Sequence, residues 1–225
     1  FKDLNITNII FSSKNDISFF IDKKFKINNL NLDSQINIKN INYKNDLKNI
    51  KKYLKNFKDS VELEDHQVLL NYKKNIFNIK GKGKIKIENK IDTIEYKIQQ
   101  RNNQYIVDAI LNLSENDFSI PILNYKKKKN TDLSIKVDGI YETKKKLTLN
   151  KVSITENKNF FLIEKLKFNE KIKILSIDYF EVNFVNENKI KNQLKIKRDD
   201  KNFKVNGVTF DIEKLIENIN KNNDK

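Results

Sequence analysis

The chain reads as mainly β, an antiparallel meander with one short helix near residues 45–57 and another near 211–220. Three observations carry that reading. From residue 132 to 208 apolar residues recur at every second position, as in Leu133, Ile135, Val137, Gly139 and Tyr141, and this period sets them on one face of a strand. Short polar clusters separate the runs, so successive strands are joined as hairpins and pair antiparallel. The chain has one histidine, one proline, four glycines and no cysteine, so the usual equipment of catalysis or metal binding is nearly absent. Function is therefore expected in the shape and surface of the sheet.

Residues 4–43 predict short strands: Ile17, Phe19 and Ile21 alternate, as do Ile36 and Ile38, with Asn- and Asp-containing turns between. Over 45–57 the period changes, because Leu47, Ile50, Leu54 and Phe57 fall three or four apart among lysines, which predicts an amphipathic helix. Its basic side suits an anionic membrane surface, but a narrow stripe without an aromatic row favours packing against a sheet end. Strands resume at about Gln67. Ile85 and Ile87, then Ile94, Tyr96 and Ile98, then Tyr105, Val107 and Ala109 alternate in turn.

Pro121 lacks an N–H and suits an edge or a connection. With the basic run Lys126 to Lys129 it marks a sub-boundary at 121–131, between an N-terminal β-rich segment with one helix (1–120) and a C-terminal meander with a closing helix (121–225), on one continuous sheet. The second segment predicts strands at 132–142, 146–155, 159–168, 171–186, 190–198 and 202–208. Asp211 is then placed to cap a helix whose Ile212, Leu215, Ile216 and Ile219 lie on one face.

The formal charge of +15, from 45 basic and 30 acidic residues, would attract nucleic acid, anionic lipid or an acidic partner. Lys, Asn and Ile dominate throughout, as codons built mainly from A and T supply, and that accounts for most of the charge. Without cysteine there is no disulfide framework and no thiolate site. No stretch approaches the roughly 20 apolar residues that span a bilayer. Phe1 rather than Met opens the sequence, which predicts an excerpt or a processed product whose membrane anchor lies upstream.

Candidate chemical sites are few. His66 follows Glu64 and Asp65, and a carboxylate neighbour raises an imidazole pKa, but adjacent strand residues point to opposite faces, so an ordinary surface histidine is expected. The pairs Glu62/Glu64 and Asp199/Asp200 have no ligand spacing around them and are expected in turns or on the solvated face. Gly81-Lys82-Gly83-Lys84 lacks the spacing of a phosphate loop and opens a strand instead of a helix, so its glycines, like Gly139 and Gly207, are expected to relieve crowding or mark bulges. For nucleic acid, which is not the expected partner, Tyr125 beside Lys126 to Lys129 is the best local candidate. Phe160, Phe168, Tyr179 and Phe184 fall at apolar-face positions, where packing is expected. No acid–base or nucleophile constellation emerges, so neither an enzyme nor a cofactor is expected.

The order of elements from about 114 to 220 carries a resemblance. Ile120-Pro121-Ile122-Leu123-Asn124-Tyr125-Lys126 leads into the strand from Leu133 to Tyr141. Leu147-Thr148-Leu149-Asn150-Lys151-Val152 and Phe161-Leu162-Ile163-Glu164-Lys165-Leu166 follow. Phe203-Lys204-Val205-Asn206-Gly207-Val208-Thr209-Phe210-Asp211 then closes on a V-x-G-x-x-x-D pattern before a short helix. This arrangement resembles the AsmA-like proteins of Gram-negative envelopes, in particular the YhdP/TamB-type group and its alphaproteobacterial variants.

The resemblance implies a strongly twisted, taco-like antiparallel sheet folded into an open groove. It further implies an inner-membrane anchor, a periplasmic location and non-catalytic passage of phospholipid between the inner and outer membranes. Phospholipid acyl chains and the inner membrane are then the expected partners, with an envelope protein as a further one. The expected groove lining is Leu133, Ile135, Val137, Tyr141, Leu147, Leu149, Ile172, Ile174, Tyr179 and Phe184. Two other readings stand beside it: an envelope interaction scaffold with a closed core, and a basic nucleic-acid-binding protein.

Overall fold

The structure, a computed structural model, describes residues 5–44, 51–54, 57, 60–87, 89–143, 146–170 and 173–217. Six long strands follow one another as hairpins: β1 (Asn5–Ile21), β2 (Ile27–Lys44), β3 (Ser60–Lys73), β4 (Ile76–Ile87), β5 (Lys90–Arg101) and β6 (Gln104–Leu113). A connection then carries β7 (Ser119–Ile120), a 3-10 turn at Pro121–Leu123, and β8 (Tyr125–Lys126), and Pro121 takes the first turn of that helix, where its missing N–H costs nothing. The meander continues through β9 (Leu133–Glu142), β10 (Lys146–Glu156), β11 (Asn159–Phe168), β12 (Ile174–Ser176), β13 (Tyr179–Val185), β14 (Lys191–Asp199) and β15 (Asn202–Thr209).

All strands except β7 and β8 belong to one antiparallel sheet of 13 strands, which begins at β1, ends at β15 and does not close into a barrel. β6 pairs directly with β9, from Gln104 with Glu142 to Leu113 with Leu133, so the sheet runs without a gap past the connection. The hairpin between β3 and β4 turns on Lys74 and Asn75, both with positive φ, as a two-residue turn matched to strand twist requires. With so few glycines, asparagine fills most such left-handed positions; its short side chain tolerates them better than other L-residues do.

Three expectations need correction. Where several short strands are expected over 4–43, Asn5–Ile21 and Ile27–Lys44 are two strands of 17 and 18 residues, because Asn8 and Asn29 take φ of 56° and 53° at irregularities inside continuing strands instead of turning the chain. β3 starts at Ser60, seven residues before the expected start, because Asp65 and His66 together face Gly83 in a bulge. That extra residue flips the alternation, so Val61 and Leu63 share a face with His66, Val68 and Leu70 although their spacing in sequence hides it. The strand expected over 171–186 is two strands, β12 and β13, separated near Asp178, whose carbonyl accepts the Arg198 N–H at 2.8 Å. The helix expected over 45–57 falls largely outside the described residues. Helix is seen at 213–217, where Asp211 accepts the Glu213 N–H at 3.1 Å as an N-cap does.

One end of the apolar face is roofed. Leu54, Phe57, Phe118 and Tyr125 lie over Ile85, Ile87, Leu113, Leu133, Phe161, Val182 and Phe184 in a single buried cluster. Two carboxylates fasten this roof to the strands below. Asp92 of β5 accepts the backbone N–H groups of Ser114 and Glu115 at 2.7 and 2.9 Å and the Asn116 amide at 2.7 Å. Glu156 of β10, 1% exposed, accepts the Tyr125 hydroxyl and the Lys128 N–H at 2.7 Å, the Asn159 amide at 3.0 Å and the Thr131 hydroxyl.

Burial alone would raise the Glu156 pKa, but the donors from Thr131, Tyr125, Lys128 and Asn159 outweigh it and hold the carboxyl below its ordinary range. Its contribution to stability is therefore complete above the unfolded value of about 4.3, and it is lost as the pH falls through that value toward the folded one. Glu156→Ala leaves several buried donors unpaired and is expected to lower the unfolding free energy by about 3 kcal/mol at neutral pH, measured by denaturant titration. The gap between Glu156→Ala and the parent should shrink below pH 4.

Candidate apolar groove

The two sides of the sheet differ in chemistry because the side-chain period is two. On one side lie Lys80, Lys82, Lys84 and Lys86 of β4 and Lys195 and Lys197 of β14; here Lys86 pairs with Glu62 and Glu64 at 3.3 and 3.5 Å. On the other side one cross-strand row runs Ile98, Val107, Gly139, Leu149, and the next runs Tyr96, Ala109, Val137, Val152, Ile163, Phe180, Ile196. Among the described residues the roof covers one end of this apolar side. Where the roof meets the sheet, an open-sided apolar cavity of about 570 Å³ is lined by Phe118, Ile120 and Leu123 from the connection, Ile135, Ile154, Phe161, Phe180 and Leu194 from the strands, and Phe210 and Leu215 from the C-terminal element.

The expected lining residues divide among several environments. Leu133 and Phe184 are fully buried in the roofed cluster, and Ile135 lines the cavity. Val137, Leu149, Leu147 and Tyr141 continue along the unroofed stretch, half-buried except for the more exposed Tyr141. Ile174 is exposed on β12, and Ile172 lies outside the described residues. Tyr179 is on the polar side, since its neighbour Phe180 points into the cavity; its hydroxyl donates to Glu181 and the Lys195 ammonium sits 5.3 Å from its ring centre. Phe160 is likewise opposite to Phe161. In both cases a doublet of aromatics let the wrong member be read as inward.

The sequence reading missed the cavity residues of the connection and of Phe210, which follow no strand period. It also left out the first half of the sheet, where Phe11, Ile38, Val68 and Ile79 extend the same side. Tyr125, the aromatic candidate for stacking on nucleic acid, is buried at 1% exposure with its hydroxyl on Glu156, and Lys127 beside it is also buried, donating to the Ser114 carbonyl at 2.9 Å.

His66 is not a surface residue. It is 1% exposed, stacked on Tyr96 with ring centres 5.5 Å apart, and neither ring nitrogen has a hydrogen-bond partner. The glycines of β4 make room for this pair. A Cβ on Gly81 would lie 2.2 Å from the Tyr96 ring, and one on Gly83 would lie 2.6 Å from the His66 Cα. Among the described residues, no group of three or more His, Cys, Asp or Glu side chains is placed to hold a metal ion, and no helix is long and apolar enough to cross a membrane. No protein-family model, curated protein or solved structure matches the chain.

Burial pushes the His66 imidazole below its ordinary range, so the folded protein takes up its proton less readily than the unfolded chain. Stability from this site is complete above the unfolded value of about 6.5 and declines as the pH falls toward the folded value, by up to about 1.4 kcal/mol per pH unit. His66→Phe, which keeps the stack on Tyr96, is expected to remove that slope between pH 6.5 and 5 in denaturant titrations. An unchanged slope would show that another group titrates.

Proposed function

We propose that this chain is a segment of an envelope lipid-transport protein that guides phospholipid acyl chains along its apolar sheet face, without covalent chemistry. The observation that carries the reading is the apolar side that runs across the strands, is roofed among the described residues at one end and opens there into a cavity of about 570 Å³ lined by hydrophobic side chains. A contiguous apolar surface left without a second sheet calls for an apolar occupant. Strands of about ten residues rise roughly 33 Å, enough to accompany an acyl chain along its length. The lysines of the opposite side stay in water. In this reading the partners are phospholipid and the inner membrane, the work is done in the periplasm, and the AsmA-like resemblance supplies the envelope context.

The roofed cluster around Leu133 and Phe184 favours a second reading, an interaction scaffold for which the apolar side is simply core. Two substitutions separate them. Ile135→Glu meets the packed cluster and is expected to destabilise the fold by several kcal/mol. Val137→Glu, on the unroofed stretch, is expected to leave the thermal midpoint within a few degrees while reducing co-purified phospholipid at least about tenfold, read by organic extraction and native mass spectrometry. A parent protein that is compact and free of lipid, or a folded Val137→Glu variant that retains lipid like the parent, would favour the scaffold.

A further inference from the structure

The two edges of the sheet are built differently. β15 carries Lys204 paired with Asp199, and although Phe203, Val205 and Val208 are exposed along it, its 8 residues offer a partner under half the length of the 17-residue β1. β1 has 17 residues and only two charges, Lys14 and Asp16, in a chain that is one-third charged. It is apolar on both sides near its ends: Phe11 and Phe19, 55% and 52% exposed, share the apolar side, and Ile10 and Phe20, 57% and 60% exposed, share the polar one. An edge so long, apolar and weakly charged invites a partner strand.

The order of residues on that edge names the partner. Read outward from Asn15, the strand is nearly palindromic as far as Ile10: Lys14 balances Asp16, Ser12 balances Ser18, Phe11 balances Phe19 and Ile10 balances Phe20, with Ser13 against Ile17 the exception. We propose that β1 pairs antiparallel with β1 of a second copy about a two-fold axis at Asn15, joining two sheets into one. Lys14 then faces the partner's Asp16 and Asp16 the partner's Lys14, so both charges are satisfied twice by symmetry.

Register is chosen by the same two charges. A slip of one residue sets the apolar side against the polar side. The next registers that keep the sides matched centre the axis on Lys14 or on Asp16, and each puts like charges directly opposite. Within one copy Asp16 already faces Asp33 of β2, a like-charge pair that the partner's Lys14 relieves. From Ile10 to Ile21 β1 carries no extra residue; its bulge lies at Asn8–Ile9, just outside the symmetric stretch. The pairing stands independently of what the apolar side carries, and it would make that side continuous across both copies.

Sedimentation velocity of the whole chain is expected to show a dimer. Lys14→Asp should weaken it on the order of tenfold, because symmetry applies the change at two contacts, and Lys14→Asp with Asp16→Lys should restore it. The chain has no cysteine, so Asn15→Cys gives a clean probe. On the axis two such residues sit within disulfide reach and should cross-link on oxidation, whereas Ser13→Cys, displaced by four residues from its own copy, should not. A monomer at all concentrations, open-ended polymers, a dimer indifferent to Lys14→Asp, or equal cross-linking at positions 13 and 15 would overturn the proposal.

Discussion

Glu156 is fixed at the end of β10, beneath a connection that has almost no regular structure of its own, and it holds that connection in place. A carboxylate is costly to take out of water unless its oxygens are filled with donors. Here Tyr125, Lys128, Thr131 and Asn159 supply them, from the connection and from the next hairpin. Asp92 repeats the device at the other end of the same connection, through Ser114, Glu115 and Asn116. Once both carboxylates are satisfied the connection has one position, and Phe118 and Tyr125 fall on the apolar ends of the strands to complete the buried cluster.

What the roof does not reach is as consequential as what it covers. Among the described residues the roof lies over one end of the 13-stranded sheet and acts there as core, while the apolar residues beyond it, such as Val107, Val137, Leu149 and Val152, are half-buried. The cavity marks the border between those regimes. Bulges and glycines adjust the surface locally: Gly81 and Gly83 let Tyr96 and His66 lie down across β4, replacing two protrusions with a flat aromatic pair. The cost is a histidine with no hydrogen-bond partner, tolerable only while the ring stays neutral.

The edges complete the picture. An open sheet must dispose of two rows of backbone groups, and β15 limits its row by being short. β1 carries apolar residues and a charge pair of opposite sign arranged symmetrically about Asn15, a pattern of pairing rather than of protection.

The alternation of Leu133, Ile135, Val137 and their successors was enough by itself to give the mainly β class, the antiparallel order and nearly every strand boundary after residue 132, because a period of two has one structural solution and short polar turns permit one connection. Tertiary structure decided the rest. At Asp65–His66 a bulge reversed the parity and turned an apparently exposed histidine into a buried one; at Asn8 and Asn29 apparent turns became irregularities in strands that continue because neighbouring strands pair on. Phe160 and Tyr179 lie on the polar side, opposite their neighbours Phe161 and Phe180, and only the packing of Phe161 and Phe180 at the buried cluster and cavity chose between the members of each doublet. The roof was illegible for a different reason: Phe118 and Leu123 have no period, and the connection that carries them is held by hydrogen bonds to Asp92 and Glu156, side chains up to about thirty residues away that local patterning does not connect, while Phe210 is placed by Asp211, whose N–H donates to Asn192 at 2.7 Å.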